Sequence, residues 1–417
     1  MMRTLRPALP ILRGAALMLS ISLGLRQSLG LFLQPLTRDL SIAVADFTVA
    51  IAIQNAAWGL LQPVAGALAT RLGFRPLMIA GAALYIAGLA TLAMAQGLFG
   101  VVIGAGVMIG LSLACTASAI ALAVASRAVP VAVRSTVLGM ISAAGSLGSV
   151  LAAPAGQLLA DGYGWRVGVA GFAVLALGLL PAAWLAGRVD RIPLPPRDIG
   201  ALRDTSMRAA LSTAMGNGSF LIMAGAYFVC GMQLVFITTH LPSYLAICGM
   251  DPMLAAEVLA VIAAFNVAGS LFFGWAGGRW SKQMLLGAIY TSRSVVLACY
   301  FALPPTPLGT VIFAALMGFL WLGVGPLIAG AVAEMFGLRW QAMIQGLAFM
   351  SHQVGSFVGA YGGGVIFDAL GSYDLAWKLG VGMGLVAGLL QLIFAAPGPP
   401  KSPRLDHPVP NLGPSPG

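Results

Sequence analysis

The stretch Gly14–Pro35 reads GAALMLSISLGLRQSLGLFLQP, and it decides the class of this protein. Such an apolar run is long enough for a helix that crosses a bilayer, which takes about 20 residues. Arg26 lies near its middle, about 18 Å along the helix axis from Gly14. A charge at that depth is costly and by default indicates a functional role. The group that pairs with Arg26 therefore becomes the first question about the chain.

The rest of the chain has the composition of a polytopic α-helical membrane protein. Of 417 residues, 59% are hydrophobic and 8% are charged, whereas soluble domains are about 25% charged. The 54 glycines suit membrane helices that approach each other closely. Twelve apolar segments predict an all-α membrane protein in the lipid bilayer, with helices near residues 13–35, 46–69, 77–95, 98–125, 134–160, 166–187, 217–240, 252–275, 283–302, 307–332, 341–366 and 375–395.

Lysine and arginine are distributed unequally between the two sides of the predicted bundle. Seventeen lie on the side of the termini and the central polar stretch, and three, Arg38, Arg166 and Lys378, lie on the other side. Because cytoplasmic loops carry the excess of positive charge, we expect both termini in the cytoplasm. The net charge of +10 thus reflects topology, and we predict no nucleic-acid partner.

The longest polar stretch, Arg188–Arg208, divides the twelve segments six and six. It contains RIPLPPRDIG, whose prolines forbid a regular helix throughout. We predict an N-terminal six-helix bundle (1–187), a cytoplasmic linker (188–216), a C-terminal six-helix bundle (217–395) and a disordered, proline-rich cytoplasmic tail (396–417).

An internal repeat supports this division. The segment from Gly66 to Arg71 after the second helix is similar to the segment from Gly274 to Arg279 after the eighth, 208 residues later. A second pair of segments, each beginning with a glycine that precedes an aspartate by 13 residues, has an offset of 207: Gly148 to Asp161, and Gly355 to Asp368. Two signals at nearly one offset indicate two pseudo-symmetric six-helix bundles.

Several motifs resemble those of the major facilitator superfamily. GALATRLGFR (66–75) is similar to the signature G-x-L-a-D-r-x-G-r-[kr] between helices 2 and 3, and GWAGGRWSK (274–282) is similar to its second copy. RQSLGLFLQPL (26–36), HLPSYLAICG (240–249) and SHQVGSFVGAYGGGVIFDALGSYD (351–374) resemble the bacterial monocarboxylate-transporter-like branch. The resemblance covers about residues 13–395. It implies a monomer with twelve helices and a substrate site near the midplane between the bundles.

The resemblance also implies a gating motif in the two copies: Gly66, Arg71, Gly73, Arg75, Gly274 and Arg279. The signature's aspartate is Thr70 in the first copy, and Gly278 takes its place in the second. The acidic partner of the family's latch is therefore absent from both halves. This departure puts a charge-based gating lock in doubt.

Polar side chains lie inside the predicted helices, most of them near one level when depth is counted at about 1.5 Å per residue. The candidate substrate-binding residues are Arg26, Asn55, His240, Asn266, Arg293, His352 and Gln353. The carboxylates fall at or near helix ends, and none falls at the midplane. Because an unpaired buried charge is expensive, we predict a water-filled cavity that binds an anion. The planar fork of arginine suits a carboxylate.

Each candidate has a structural alternative that the residues leave open. Backbone carbonyls and Gln27 can satisfy Arg26, and Arg293 lies on a helix that is peripheral in the superfamily fold. The histidines and amides can form interhelical hydrogen bonds. Three aromatic residues either line the cavity or fill space: Trp58, Tyr227 and Trp321.

No catalytic constellation is present in the sequence. There is no HExxH, no GxxxxGK[ST] and no Cys/His metal cluster, so we predict neither an enzyme nor a cofactor. The cysteines lie in or beside apolar runs without CxxC spacing, which is typical of small buried residues: Cys115, Cys230, Cys248 and Cys299.

These features predict a multi-pass secondary transporter of the bacterial cytoplasmic (inner) membrane that moves a small organic anion, a monocarboxylate by resemblance, by alternating access. Proton symport would use His240, His352 or the substrate itself as the proton carrier. One alternative is a multidrug exporter working by proton antiport, which predicts acidic cavity residues that the sequence lacks. Another is a non-transporting membrane sensor on the same scaffold.

Overall fold

The computed structural model describes residues 5–193 and 206–394, and within these ranges the chain is almost entirely helical. The predicted tail (396–417) and most of the proline-containing linker lie outside them. Twelve long helices follow one another: α1 (Arg6–Leu40), α2 (Val44–Leu72), α3 (Phe74–Ala93), α4 (Leu98–Ala128), α5 (Val131–Tyr163), α6 (Trp165–Arg191), α7 (Gly218–Ile247), α8 (Pro252–Ala276), α9 (Lys282–Ala302), α10 (Pro307–Phe336), α11 (Gln341–Leu370) and α12 (Asp374–Ile393).

All twelve predicted segments are present, and most helices extend beyond the predicted bounds. α1 begins at Arg6 rather than at residue 13. α7 was predicted to end at residue 240 but continues to Ile247, since a proline inside a membrane helix is tolerated where neighbouring groups satisfy the freed backbone. A short helix in the predicted linker, Met207–Met215, was not predicted at all. The Oγ atom of Ser206 caps its first turn by accepting a hydrogen bond from the Ala209 amide.

Several helices are interrupted within the membrane. α1 contains a 3₁₀ segment, Leu29–Phe32, and α4 contains a π-helical segment, Val102–Met108. α10 consists of two helices, Pro307–Phe319 and Val324–Phe336, joined by a turn. Freed backbone groups at such interruptions need polar partners, because lipid offers none. Asparagine and arginine side chains of neighbouring helices provide them at the turn in α10, as described below.

Glycine contacts inside the two bundles reproduce the internal repeat. Gly148 of α5 lies so close to α1 that a Cβ atom there would stand 1.9 Å from the Ser20 carbonyl oxygen. Gly355 of α11 meets the Phe228 carbonyl oxygen of α7 at the same 1.9 Å. Ser20 and Phe228 are 208 positions apart, and the two glycines are 207 apart. The repeat in sequence therefore corresponds to equivalent helix crossings, as small residues in membrane helices allow.

The two bundles meet along α2–α11 and α5–α8. A Cβ atom at Gly346 would lie 2.9 Å from the Gln62 carbonyl oxygen, and one at Gly139 would lie 2.6 Å from the Ser270 carbonyl oxygen. Gln62 and Ser270 are again 208 positions apart, and Gly139 and Gly346 are 207 apart. The interface is thus pseudo-symmetric as well, and bare backbone lies at its closest points.

The bundles are held together on the side where α1 begins, α6 ends, α7 begins and α12 ends, here called the linker side. Thr70 of α2 donates from Oγ1 to the Arg339 carbonyl oxygen at 3.0 Å. Gln341 of α11 donates from Nε2 to Oγ of Ser126 in α4 at 2.9 Å. These two neutral hydrogen bonds join the N-terminal half to the C-terminal half.

The bundles diverge toward the opposite side, here called the far side. The face of α11 that meets α2 at Gly346 and Gln353 continues, at helical spacing, through Phe357 and Tyr361. Gln353 still contacts α2, whereas Phe357 is 63% exposed and Tyr361 is 65% exposed. The same face of α11 is therefore covered on the linker side and uncovered on the far side. Gln353 marks the level at which the opening between the halves begins.

The glycine crossings give a stability test. We expect Gly355→Ala to destabilise the protein by about 1–3 kcal/mol, because the added methyl group must push α11 away from the α7 backbone. Gly362→Ala is the matched control in the same helix, since no atom lies within 4 Å of a Cβ there, and it should be neutral or slightly stabilising. Thermal unfolding of the purified variants in detergent measures both. Equal unfolding temperatures for the two variants would contradict the close crossing.

Candidate functional site

Arg26 and Asn55 form the polar centre of the site, at the level where the opening begins. Arg26 of α1 donates a short hydrogen bond from Nη2 to Oδ1 of Asn55 on α2. Its guanidinium carbon lies 5.0 Å from the ring centroid of Trp58, in the range of a cation–π interaction. The Nε atom has no hydrogen-bond partner among the described residues. Arg26 is therefore held in place by neutral groups and keeps donor capacity.

Asn55 also connects this centre to the other half of the molecule. Gln353 of α11 donates from Nε2 to the Asn55 carbonyl oxygen at 3.2 Å. The Nδ1 atom of His352 lies 3.3 Å from Oε1 of Gln353. Gly59, one turn further along α2, gives the Gln353 side chain room, because a Cβ there would lie 2.6 Å from Cβ of Gln353. Four predicted site residues, Arg26, Asn55, His352 and Gln353, are thus brought together.

Aromatic rings line the C-terminal side of this cluster. His352 stacks on Phe349, with ring planes 9° apart and centroids 5.7 Å apart. Tyr227 of α7 lies 4.5 Å from His352, and Trp58 lies 4.6 Å from Phe349. Tyr227, Phe349 and His352 are partly exposed, whereas Trp58 is buried. The rings form a wall that reaches from α2 through α11 to α7.

No carboxylate neutralises Arg26 in the described ranges. The ion pairs found there join Arg166 to Asp39 at 3.1 Å and Lys282 to Glu334, all at helix ends. No group of three or more His, Cys, Asp or Glu side chains in residues 5–193 and 206–394 could hold a metal ion. The partners of Arg26 are a neutral amide and an aromatic ring, so the site keeps a positive charge.

Arg293 of α9 has its hydrogen bonds elsewhere. It is fully buried, and it donates from Nη2 to the Leu320 carbonyl oxygen at 2.6 Å, in the turn that interrupts α10. Its Nη1 atom lies 3.1 Å from Sγ of Cys230 on α7. The internal repeat contains an equivalent contact between helices in the N-terminal half. Tyr85 of α3, 208 positions earlier, donates to the Ser22 carbonyl oxygen of α1 at 2.8 Å, and Ser22 and Cys230 are also 208 apart.

The two remaining candidates satisfy polar groups of the C-terminal half. Asn266 of α8 accepts from the Leu322 amide at 2.8 Å and so caps the same turn in α10. The ring nitrogens of His240 lie 3.2 Å from the Tyr373 hydroxyl and 2.9 Å from the Ala360 carbonyl oxygen. Neither residue hydrogen-bonds to the Arg26–Asn55–Gln353–His352 cluster within the described part of the chain.

The first copy of the gating motif lies on the linker side. A Cβ atom at Gly66 would meet the Ala342 backbone at 2.4 Å, so α2 and α11 cross closely there. Gly73 has φ +97°, a conformation that favours glycine. Next to it, the Asp190 carboxylate accepts hydrogen bonds of 2.9 Å from the amides of Phe74 and Arg75. The Arg75 guanidinium lies 4.4 Å from the Trp184 ring, whereas Arg71 is exposed.

The second copy is simpler. A Cβ atom at Gly274 would lie 2.5 Å from Cα of Gly139, at the α5–α8 crossing. The Arg279 guanidinium lies 4.1 Å from the Trp275 ring of its own segment. Both copies therefore share a close backbone contact at a glycine and an arginine that lies over a tryptophan ring.

Sequence reasoning missed three contributors to the site region. Gln54 of α2 donates to the Ala105 carbonyl oxygen in the π-helical part of α4 at 2.6 Å, and Gln62 donates to the Ala114 carbonyl oxygen in the α-helical segment after it at 2.9 Å. Their eight-residue spacing, two turns of helix, was the available signal. Phe349 was also missed, although it lies one turn from His352 on the same face of α11.

Known transporters are similar to this chain over most of its length. The Major Facilitator Superfamily profile matches residues 15–360. "Monocarboxylate transporter 11" of Mus musculus is 28% identical over 374 residues, covering 86% of this chain and 80% of its own length. "Monocarboxylate transporter 13" of Rattus norvegicus is 26% identical over 334 residues, covering 78% and 74%. A solved structure of the E. coli fucose:proton symporter FucP superposes with a TM-score of 0.70 at 15% identity, over 92% of this chain and 98% of that one.

These likenesses confirm the resemblance predicted from the sequence motifs. The profile covers most of the chain, the relatives carry monocarboxylate-transporter names, and the solved structure shares the twelve-helix fold. The chain belongs to the Major Facilitator Superfamily and is a multi-pass membrane transporter.

Proposed function

We propose that this transporter moves a small organic anion of the monocarboxylate class across the cytoplasmic membrane by alternating access. The observation that carries the proposal is Arg26, a charge inside the membrane whose partners are the amide of Asn55 and the ring of Trp58. A buried charge without a counterion is strongly unfavourable. An anionic cargo supplies the missing charge, and a carboxylate accepts two hydrogen bonds from the guanidinium fork.

The position of the cluster supports a transport role rather than a purely structural one. It includes a hydrogen bond between α2 and α11, at the level where the covered face of α11 gives way to the exposed Phe357 and Tyr361. Asn55 accepts from Arg26 of its own half and, through its carbonyl oxygen, from Gln353 of the other half. A substrate carboxylate that binds Arg26 competes with the Asn55 amide. Occupancy of the site then alters the contact that joins the halves.

The aromatic wall accounts for the organic part of the cargo. Tyr227, Phe349 and His352 are partly exposed beside the Arg26 centre, and they offer an apolar surface for a short carbon chain. The monocarboxylate names of the sequence relatives agree with a ligand that has one charged end and one apolar end. The excess of Lys and Arg on the linker side supports a cytoplasmic position for the linker and both termini.

Replacing Arg26 tests the proposal directly. We expect Arg26→Gln to weaken binding of small monocarboxylates at least about tenfold, because the charge-assisted hydrogen bonds lost are worth about 1.5–3 kcal/mol. Uptake of radiolabelled lactate, pyruvate and propionate into proteoliposomes, together with ligand-induced shifts of the unfolding temperature, measures the effect.

Arg38→Gln is the matched control, since it removes the same charge from the exposed far end of α1 and should leave uptake unchanged. Undiminished monocarboxylate binding in Arg26→Gln would refute the anion site. Transport of cationic drugs, with no carboxylate uptake by the unaltered protein, would favour the multidrug alternative.

We further propose that His352 carries the proton in a symport cycle. It is linked through Gln353 and Asn55 to Arg26, and its other titratable or charged neighbours are Tyr227 on α7 and Arg293 on α9. His352→Gln keeps a hydrogen-bonding side chain but cannot titrate. It should therefore retain substrate exchange at equal pH and lose accumulation driven by a pH gradient.

Counterflow and pH-jump uptake in proteoliposomes separate these two activities. His240→Gln is the control, because His240 bonds to Tyr373 and Ala360 away from the cluster, and it should retain both. Normal gradient-driven accumulation by His352→Gln would assign the proton to the substrate instead.

The neutral contact at Thr70 makes a prediction about gating. Thr70→Val removes the hydroxyl that bonds to the Arg339 carbonyl oxygen, which costs about 1 kcal/mol. Opening of the linker side should then be favoured up to about fivefold. In alternating access, opening of the linker side closes the far side. With the exposed Cys248 and Cys299 replaced by serine, Tyr361→Cys on the far side should therefore react more slowly with an impermeant maleimide.

Thr238→Val is the matched control, because the Thr238 hydroxyl bonds only to carbonyl oxygens of its own helix among the described residues. Its labelling rate at position 361 should match that of the parent. An unchanged rate in Thr70→Val would show that this hydrogen bond does not hold the linker side closed.

A further inference from the structure

The helix Met207–Met215 lies at the boundary between the linker and the second bundle, and the transport site does not involve it. It is nine residues long, and two residues, Gly216 and Asn217, separate it from the start of α7 at Gly218. The chain turns at Asn217, whose backbone is extended and whose Oδ1 accepts from the Phe220 amide to cap α7. The short helix therefore lies directly before the first turn of α7, a helix long and apolar enough to cross a membrane.

The short helix has two different apolar stripes. Ala210 and Ala214 are fully buried and belong to the core of the C-terminal half, together with Phe220 and Met223 of α7. Three larger apolar residues on the adjacent stripe are exposed: Met207 (38%), Leu211 (37%) and Met215 (52%). At about 100° per residue, the centres of the two stripes are about 80° apart. The Ala210–Ala214 stripe packs against the protein, whereas no described residue covers the stripe of Met207, Leu211 and Met215.

The polar side chains occupy the remaining arc. Ser212 and Thr213 are exposed and point away from both apolar stripes by helical spacing. Arg208 is also exposed and lies between the Leu211 stripe and the polar arc. The helix thus has a protein face, an apolar face and a water face in sequence around its axis. An amphipathic helix with this arrangement lies in the interface plane of a bilayer.

We propose that the helix Met207–Met215 is a membrane-surface helix, with Met207, Leu211 and Met215 inserted among the acyl chains of the linker-side leaflet and Arg208 on the phosphate of an anionic lipid. The occupant of the exposed stripe is the bilayer that α7 crosses, because the buried stripe of the short helix packs with Phe220 and Met223 at the start of that membrane-spanning helix. A recess of about 570 Å³ at the corner, lined by Gly216, Asn217, Gly218, Ser219, Ile222 and Phe394, lies on the same boundary.

The charge of Arg208 specifies the headgroup. Basic residues beside a membrane surface gain about 1 kcal/mol each from anionic lipid. An arginine side chain can keep its stem among apolar groups while its guanidinium reaches the phosphate layer. Arg208 has the position for this, on the edge of the apolar stripe, whereas the exposed Arg188 at the end of α6 lies outside the helix.

Depth-dependent quenching in liposomes tests the proposal with the full-length chain. The four native cysteines are replaced, and a fluorescent label is placed on Leu211→Cys or on Ser212→Cys as the matched control one position away. We expect lipids with bromine on the acyl chain to quench the label at 211 at least threefold more than the label at 212. Aqueous iodide should give the reverse order.

Two results would overturn the proposal. Quenching of position 211 by iodide as strong as that of position 212 would place the apolar stripe in water. Protection of position 211 from both quenchers would indicate a protein partner, such as a second copy of this chain. Retained monocarboxylate uptake by both labelled variants keeps this test independent of the transport site.

The lipid headgroup is tested separately. The vesicles consist of phosphatidylcholine alone or of phosphatidylcholine with about a third phosphatidylglycerol. The label at position 211 should insert more deeply in the second kind, and brominated acyl chains should then quench it more strongly. Arg208→Gln should abolish this dependence, whereas Arg188→Gln should keep it. If Arg208→Gln responds to phosphatidylglycerol as the parent does, the anionic-lipid contact is wrong.

Discussion

A guanidinium inside the membrane, held by an amide and an aromatic ring instead of a carboxylate, is the interaction around which the polar centre of this structure is built. Arg26 bonds to Asn55 and lies over Trp58, and these contacts fix its position without cancelling its charge. The same asparagine accepts from Gln353 of the other half. One short polar chain therefore joins the charge, the interface between the halves and the partly exposed ring of His352.

The second constraint is the close approach of helix backbones. Glycines at equivalent positions of the two halves bring α5 against α1 and α11 against α7, and a related set brings α2 against α11 and α5 against α8. These contacts tolerate almost no added atom, so the halves behave as preformed surfaces. On the linker side the surfaces meet and are joined by neutral hydrogen bonds. Neutral hydrogen bonds at this interface agree with the absence of aspartate from both motif copies.

The repeat also clarifies the role of the fully buried Arg293. Arg293 and Tyr85 occupy equivalent positions on α9 and α3, and each reaches the first helix of its own bundle. Arg293 in addition satisfies a carbonyl group freed by the turn in α10. Its guanidinium thus donates to backbone and thiol groups inside one bundle. Arg26, in contrast, lies at the contact between the two bundles. Two arginines at similar depths therefore differ in their access to a ligand.

The sequence by itself determined the membrane class, the twelve helices, the two pseudo-symmetric halves and the family, because hydrophobic length, charge asymmetry and repeat offset can be read along the chain without knowing how its segments pack. It also identified the cluster members Arg26, Asn55, His352 and Gln353 as polar residues at one depth. Depth alone could not separate them from Asn266 and Arg293, whose hydrogen bonds go to backbone groups in the turn that interrupts α10. Which face each helix turns inward, where the halves part, and that a nine-residue helix forms in the linker were decided by packing between segments far apart in the chain. Those contacts exist only when the tertiary structure brings the segments together.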